Sequence, residues 1–395
     1  MSWALLLILM AGGCSSLGII QDHRNISTPE TAALSAQSAK DVAAYKNNPY
    51  YTPAPPNAMP VGQSVLAQKV ALLVPLSGKS APLGQAMVNA AQLTVFEMGS
   101  KDFELMPRDT KGTPAGAVQA AGEALASGAQ LIIGPLFAGD VAAVKSVIKP
   151  SGVSLLALST DVSLAENGAF VMGFAPAPQV KRVIAFAVSQ GVRHFAAVAP
   201  TGPYGKLVMD AFDEAVRESG GVIVATETPA TVAALASHKD EIEAVFVPFG
   251  GAALRTIAGQ LAGAGFEKGH VRLIGTGLWD EPHVAEGQPL LEGGWFAAPD
   301  PTAREKFMTT YQSTYGQPAP RLATLAFDAT ALAVVLARHG LRYDNATLTS
   351  PSGFAGIDGV FRLMETGQIE RGLAVIEVTG TETRVADPAP TAFTR

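Results

Sequence analysis

The chain has 395 residues, of which 48% are hydrophobic and 16% are charged, so it has enough apolar surface to build folded cores and too few charges to remain expanded. The formal net charge is −6 and no block of lysine or arginine occurs, which excludes the electrostatic footprint that nucleic-acid-binding proteins need. We therefore predict a globular protein, long enough for two domains, that does not bind nucleic acid.

The first feature along the chain is a short apolar run followed by the single cysteine. Residues 3–10 are all apolar, but the run is much shorter than the roughly 20 residues that span a bilayer, so it is typical of the hydrophobic region of a signal peptide. The small residues 11–13 and Cys14 resemble the lipobox of bacterial lipoproteins, although Ala11 stands where leucine is usual and no lysine or arginine precedes the run. The alternative is an apolar N-terminus with an incidental thiol. With one cysteine, neither an intramolecular disulfide nor a cysteine-based zinc site can form.

The lipobox resemblance implies that residues 1–13 are a removed signal peptide and that Cys14 is lipidated. Several acyl chains would hold the protein on a membrane, because each buried CH₂ group contributes about 0.8 kcal/mol. Ser15 after the cysteine implies the outer membrane of a Gram-negative cell, with the folded part in the periplasm. Residues 14–68 are rich in Pro, Ser and Asn, and we predict that they form a flexible tether.

After residue 68, short apolar runs alternate with alanine-rich stretches that have helical periodicity. The predicted strands are residues 70–75, 103–106, 131–134, 153–158, 195–199, 222–225, 244–247, 271–274 and 295–297. The predicted helices are residues 84–98, 114–127, 138–149, 178–190, 205–219, 252–265, 302–315 and 322–339. Continuously apolar strands between helices indicate parallel sheets covered on both faces, and nine strands indicate two doubly wound α/β units.

In doubly wound units, ligands bind at the carboxyl ends of the strands. Those ends are predicted at residues 75–78, 135–137, 159–161, 200–205, 249–251 and 275–280, which are loops rich in Gly, Pro, Ser and Thr.

Six segments in the same order resemble the type I periplasmic binding proteins, in the branch of the leucine/isoleucine/valine-binding proteins. They are residues 70–97, 129–144, 153–164, 201–216 (TGPYGKLVMDAFDEAV), 306–334 and 354–378. The resemblance implies two lobes with a ligand cleft between them. It assigns residues 69–176 and 299–340 to the first lobe, residues 177–298 and 341–380 to the second, and residues 381–395 to a C-terminal tail.

The resemblance also implies a ligand site in that cleft. Ser159 and Thr160 match the family's hydroxyl-bearing loop, and Tyr204 matches the aromatic residue of its YG motif. The full set of candidates is Ser77, Leu136, Phe137, Ser159, Thr160, Tyr204, Phe249, Gly250, Trp279 and Asp280. The loop 134–138 has no hydroxyl group, although a bound amino-acid carboxylate needs several donors, and this argues against amino-acid capture.

An anchor, a proline-rich tether and this domain together resemble the activator lipoproteins of penicillin-binding proteins. This resemblance implies a non-catalytic protein that contacts a peptidoglycan synthase. The alternative is the substrate-binding receptor of a transporter for branched-chain amino acids or another small polar molecule. No cofactor is expected under either interpretation.

Catalytic and metal-binding patterns are weak in this sequence. The six histidines are scattered, with no HExxH motif and no pair at the spacing of metal ligands. Asp109 and Asp161 follow strands and could form a carboxylate pair, but turn and cap residues are the simpler interpretation. Trp279 could stack on a ligand with Asp280 accepting a hydrogen bond, or it could be a packing residue; the sequence leaves both interpretations open.

Overall fold

The computed structural model describes residues 67–98, 103–380 and 382–393. The predicted signal peptide, Cys14 and nearly all of the predicted tether lie outside these residues. The described part forms two lobes, each with a largely parallel sheet between helices, which confirms the predicted α/β fold class.

The first lobe contains a five-stranded parallel sheet with the order β2-β1-β3-β4-β5. Its strands are β1 (Gln68–Val74), β2 (Phe103–Asp109), β3 (Leu131–Ile133), β4 (Ser154–Ala157) and β5 (Ala169–Val171). Residues 70–74 of the inner strand β1 are completely buried, because helices cover both faces of the sheet.

Helices from two distant parts of the chain cover this sheet. They are α1 (Ala81–Met98), α2 (Pro114–Ala126) and α3 (Ala138–Ile148), then α7 (Pro301–Tyr315), α8 (Ala323–Arg338) and the short α9 (Asn345–Leu348). Helices α2 and α3 cover one face. Helices α1 and α8 cover the other, and α7 packs against both of them through Phe307 and Tyr311.

The second lobe contains a seven-stranded sheet with the order β15-β14-β10-β9-β8-β6-β7. Its strands are β6 (His194–Val198), β7 (Val222–Glu227), β8 (Ala244–Phe246), β9 (Arg272–Gly275), β10 (Trp295–Ala298), β14 (Ala374–Thr379) and β15 (Glu382–Asp387). Its helices are α4 (Pro176–Ser189), α5 (Gly202–Glu218) and α6 (Gly251–Gly263). Strands β6 to β10 are parallel, whereas β14 and β15 pair antiparallel at one side.

The structure corrects the predicted position of residues 341–380. A three-stranded antiparallel sheet, β11 (Phe354–Gly356), β12 (Gly359–Leu363) and β13 (Ile369–Arg371), belongs to the first lobe. Tyr343, Leu348 and Phe361 are buried in the same core as α8, so apolar packing holds this segment against the first lobe. Only β14 and β15 join the second lobe, and β15 lies within the predicted C-terminal tail.

All nine predicted strands and all eight predicted helices are present within a few residues of their predicted bounds. The sequence analysis missed β5 and β11 to β15, of which β5, β11 and β13 are three residues long and too short to show a clear hydrophobic period. Within the described residues, no helix is both long enough and apolar enough to cross a bilayer.

Candidate functional site

The first-lobe candidates lie together at one edge of the first sheet. Strands β1, β3 and β4 are neighbours and parallel, so the loops that follow them meet at this edge. Ser77 and Thr160 are exposed, Phe137 is 37% exposed, and Leu136 and Ser159 are buried. This edge therefore presents the ring of Phe137 and the side chains of Ser77 and Thr160, on loops that follow neighbouring strands.

Asp109 holds the loop after β1 in place. Its Oδ1 accepts hydrogen bonds from the backbone N–H groups of Leu76 (2.8 Å) and Lys111 (2.7 Å). Burial alone would raise the pKa of Asp109, but hydrogen bonds from the Ser77 hydroxyl and from these backbone groups outweigh it and lower the pKa below its ordinary value. Asp109 is thus an ionised turn residue.

Asp161 also has a turn role. Its Oδ1 accepts hydrogen bonds from the backbone N–H (3.0 Å) and the hydroxyl (2.6 Å) of Ser163, where a short 3-10 helix begins. Asp109 ends β2 and Asp161 follows β4, and these strands lie three strand spacings apart, about 14 Å. Both observations favour the cap interpretation of the two aspartates over an acid/base pair.

The second-lobe candidates follow β6, β8 and β9, which are also parallel neighbours. Tyr204 lies in the first turn of α5, and its hydroxyl forms a hydrogen bond with the side chain of Thr276. Burial raises the pKa of Tyr204 and this hydrogen bond lowers it, with a net increase, so the phenol is neutral near pH 7. Phe249 and Gly250 are partly exposed just before α6.

Trp279 is a packing residue, which decides between the two interpretations that the sequence left open. It is completely buried in the second-lobe core beside Phe296, and its Nε1 donates to the carbonyl of Val247 at 3.1 Å. A ring without exposed surface cannot stack on a ligand, so the expectation that Trp279 is a cleft residue is wrong. Its neighbour Leu278 is 48% exposed instead.

Asp280 bridges the two lobes through arginines that the sequence analysis did not single out. Arg304, on α7 of the first lobe, donates from Nη2 to Oδ1 (2.7 Å) and from Nη1 to Oδ2 (2.6 Å) of Asp280. Arg321, which precedes α8, donates from Nε to Oδ2 at 3.1 Å. Two guanidinium groups therefore share one carboxylate that follows a second-lobe strand.

Asp280, Arg304 and Arg321 form a charge cluster. Arg321 extends this cluster into the first lobe through a second carboxylate. Its Nη2 lies 2.9 Å from Oδ1 of the fully buried Asp358, and its guanidinium lies over the ring of Phe174, 4.2 Å from the centroid. Burial would lower the pKa of Arg321, but Asp358 and Asp280 outweigh it and raise the pKa above its ordinary value. Since Phe174 follows β5, the cluster lies near the carboxyl edge of the first sheet.

A second buried carboxylate lies behind this cluster. Asp328 on α8 is 1% exposed and accepts hydrogen bonds from the backbone N–H groups of Ile357 (2.7 Å) and Asp358 (3.3 Å). Nη1 of Arg371 lies 3.5 Å from its Oδ2. Burial and the neighbouring Asp358 raise the pKa of Asp328 to about 7, although Arg371 and the two backbone donors act in the opposite direction. Asp328 therefore fastens the turn between β11 and β12 to α8.

Several helices begin at the carboxyl edges without a side-chain cap. The N-cap residues of α3, α5 and α6 are Phe137, Thr201 and Gly250, and none of their side chains accepts a hydrogen bond from the helix. Thr113 and Asp300, in contrast, cap α2 and α7. Of α3, α5 and α6, the last two also have no acidic residue in the first turn, so their N–H groups and dipoles favour an anion.

Matching glycines bring the helix that follows the first strand of each lobe close to the end of that strand. Gly84 and Gly205 are the fourth residues of α1 and α5. A Cβ atom at Gly84 would overlap the carbonyl oxygen of Pro75, and one at Gly205 would overlap that of Pro200. Only glycine allows this approach, so these two residues fix how close the N-termini of α1 and α5 come to the ends of the preceding strands.

Within the described residues, no three His, Cys, Asp or Glu side chains come together in an arrangement that could hold a metal ion.

Comparison with solved structures supports the fold. A proposed branched-chain amino acid ABC transporter protein from Rhodospirillum rubrum superposes with a TM-score of 0.72 at 19% identity, covering 81% of this chain and 100% of its own. The branched-chain amino acid substrate-binding protein from Streptococcus pneumoniae, in complex with isoleucine, gives a TM-score of 0.58 at 21% identity, covering 82% and 100%. A solute-binding protein from R. palustris, in complex with benzoate, gives 0.57 at 20% identity, covering 82% and 97%.

A search of curated proteins finds no match to this chain. The family model described as periplasmic binding protein, in contrast, matches residues 67–382. These residues are most of the chain and include both lobes, so the chain belongs to the periplasmic binding protein family and has the type I fold.

Proposed function

We propose that this chain is a non-catalytic solute-binding protein that holds a small organic carboxylate between its lobes. The observation that carries the proposal is the set of uncapped helix N-termini at the carboxyl edges, next to exposed apolar side chains. Phe137, Tyr204 and Leu278 are between 36% and 48% exposed at these edges and would cover the apolar body of a ligand. This is the receptor interpretation that the sequence analysis kept as its alternative.

The relatives of known structure support a carboxylate as the ligand class. The protein from Streptococcus pneumoniae holds isoleucine and the protein from R. palustris holds benzoate, and the chemical group that these two ligands share is a carboxylate. Backbone N–H groups at helix N-termini and hydroxyls such as Thr160 suit that group, because a carboxylate needs several donors when it leaves water.

The proposal is tested by calorimetric titration of the full chain carrying Cys14→Ser with a panel of aliphatic and aromatic carboxylates and neutral analogues of the same shape. We expect a carboxylate to bind, and at 100 times its Kd to raise the free energy of unfolding by about 2.7 kcal/mol. The Tyr204→Ala variant should lose at least part of this binding, whereas Lys206→Ala, an exposed residue two positions further on, should not. Tight binding of neutral analogues only would contradict the proposal.

A second candidate function is activation of a peptidoglycan synthase. The lipobox-like segment that ends at Cys14 and the proline-rich residues 14–68 support it, since an anchor and a long tether suit a protein that must reach a partner. In that case docking would stabilise the active form of the synthase. The test is the glycan polymerisation rate of purified synthases with and without the lipidated protein; unchanged rates for every synthase would remove this candidate.

Lipidation at Cys14 and an outer-membrane location form a separate proposal. Metabolic labelling with a clickable fatty acid should mark the wild-type protein and leave the Cys14→Ser variant unlabelled. Density-gradient separation should then place the wild-type protein with outer-membrane markers. A labelled Cys14→Ser variant would show that the anchor lies elsewhere.

A further inference from the structure

Among the described residues, most acidic side chains at the carboxyl edges have structural partners, and the two exceptions are Asp140 and Glu227. Asp140, in the first turn of α3, has an unpartnered Oδ2 but is only 2% exposed, so a ligand in the cleft cannot reach it. Asp161 and Asp300 each accept a backbone hydrogen bond in their own turn, and Asp109 accepts one from its own turn and one from Leu76 in the loop after β1. Glu281 pairs with Arg255 at 3.2 Å. Glu227 ends the edge strand β7, which lies three strand spacings, about 14 Å, from β9.

Asp280 is the remaining carboxylate, and it lies where the two lobes meet. Its side chain is 17% exposed, and both of its oxygens accept hydrogen bonds from the fork of Arg304. Arg321 adds a third hydrogen bond to Oδ2. A carboxylate in two such contacts has little remaining capacity for another charged donor.

The charges of this cluster are already balanced. Arg304 and Arg321 face Asp280 and the fully buried Asp358, so two guanidinium groups face two carboxylates. The ammonium group of a ligand would bring a third positive charge to this cluster. A cation that leaves water without a free carboxylate to pair with carries a large free-energy penalty.

We infer that Asp280, Arg304 and Arg321 set the specificity of this protein, by excluding ligands that carry an ammonium group next to their carboxylate. The inference rests on the proposed binding of a carboxylate. It narrows the ligand class to simple organic acids, such as aliphatic, aromatic, hydroxy or oxo acids, rather than amino acids.

The first test compares ligand pairs that differ only in the amino group. Isothermal titration calorimetry of the full chain carrying Cys14→Ser would measure isoleucine against 3-methylpentanoate, leucine against 4-methylpentanoate, and phenylalanine against 3-phenylpropanoate. In each pair that binds, we expect the amino acid to be at least about tenfold weaker, since an unpaired charge costs more than the 1.4 kcal/mol that corresponds to a tenfold change. Equal or tighter binding of the amino acid would overturn the inference and leave the proposed function standing. If no acid binds at all, the proposed function fails and this inference fails with it.

The second test releases Asp280 from one partner. In Arg304→Gln, Asp280 loses both hydrogen bonds from the Arg304 guanidinium, so one of its oxygens becomes free to accept from a ligand. The affinity for amino acids should therefore rise at least about tenfold, whereas the affinity for the matched acids should stay within about threefold. Arg255→Gln is the matched control: it releases Glu281, the next residue along the chain, and should change neither affinity. An equal gain in amino-acid affinity in the two variants would show a general effect of removing a positive charge and would overturn the role of Asp280. Circular dichroism and a thermal melt confirm that both variants are folded, and the wild-type comparison above does not depend on them.

Discussion

The side chain of Gln179 connects the start of α4 to the loop after β9. Its Oε1 accepts a hydrogen bond from the backbone N–H of Gly277 at 2.6 Å, and its Nε2 donates to the carbonyls of Phe174 (3.2 Å) and Ala175 (3.0 Å). Residues 172–175 carry the chain from the first lobe to the second. One buried amide thus joins the inter-lobe crossing to the loop that presents Leu278 and Asp280.

The Gln179→Leu variant should destabilise the protein. The N–H of Gly277 would lose its partner beside an apolar side chain of similar volume, which typically costs about 1–3 kcal/mol. Urea denaturation measures the loss, and Gln190→Leu, an exposed position at the end of the same helix, is the control that should change stability by less than about 0.5 kcal/mol. Equal losses in the two variants would contradict the role of Gln179.

Trp279 and Tyr204 should respond to substitution in opposite ways. Trp279→Phe leaves the carbonyl of Val247 without its donor and leaves a small cavity, so the free energy of unfolding should fall by about 1–3 kcal/mol, with ligand affinity nearly unchanged. Tyr204→Phe loses only the hydrogen bond to Thr276, so it should lower the free energy of unfolding by about 1 kcal/mol or less and weaken ligand binding. Denaturation and calorimetric titration of both variants check this; a stable Trp279→Phe variant that no longer binds would restore Trp279 as a ligand residue.

Gly205→Ala should move the N-terminus of α5 away from the strand end. Because a methyl group there overlaps the carbonyl oxygen of Pro200, we expect a loss of about 1–3 kcal/mol and weaker binding of the carboxylate. Gly122→Ala, in α2, meets no atom within 4 Å and should instead stabilise the protein by up to about 1 kcal/mol. Thermal melts of the two variants should therefore shift in opposite directions; a shift in the same direction would show that packing against Pro200 is not limiting.

The stability of the protein should depend on pH through Asp328. Its pKa is raised to about 7 in the folded protein, from 3.8 for an ordinary aspartate, so between these values the folded state binds more protons than the unfolded state. The contribution of Asp328 is therefore fully present below about pH 4 and is lost as the pH rises to about 7. Denaturation curves at pH 4.5, 5.5, 6.5 and 7.5 should show that Asp328→Asn removes this downward slope. An unchanged slope in the variant would assign it to another group.

The parts of the fold that could be predicted from sequence are those fixed by local patterns. The strand β1 contains five consecutive apolar residues, 70–74, followed by a proline, and such a run can only be buried on both faces. The carboxyl-edge loops could be predicted for the same reason, since they follow strands of this kind. The return of residues 341–371 to the first lobe could not, because it depends on Phe361 and Tyr343 packing against α8 rather than on any local period.

The charged part of the site was beyond the reach of sequence analysis. Asp280 pairs with arginines that lie 24 and 41 residues further along the chain, and no spacing rule connects them. Arg304 has the pattern of an ordinary exposed helix residue, and Arg321 follows a proline-rich turn. The burial of Trp279 likewise depends on a carbonyl 32 residues earlier.

The position of β14 has a consequence for how the protein is made. This strand, Ala374–Thr379, lies between β10 and β15, whereas all strands of its sheet other than β14 and β15 end by residue 298. During synthesis the ribosome must therefore add some 80 further residues before the second lobe can cover the free edge of β10. Over the same interval α8 and β12 emerge and complete the core of the first lobe. The two lobes are thus finished almost together by the last part of the chain, and a nascent protein that stalls before residue 374 would expose an unpaired strand edge to chaperones and proteases.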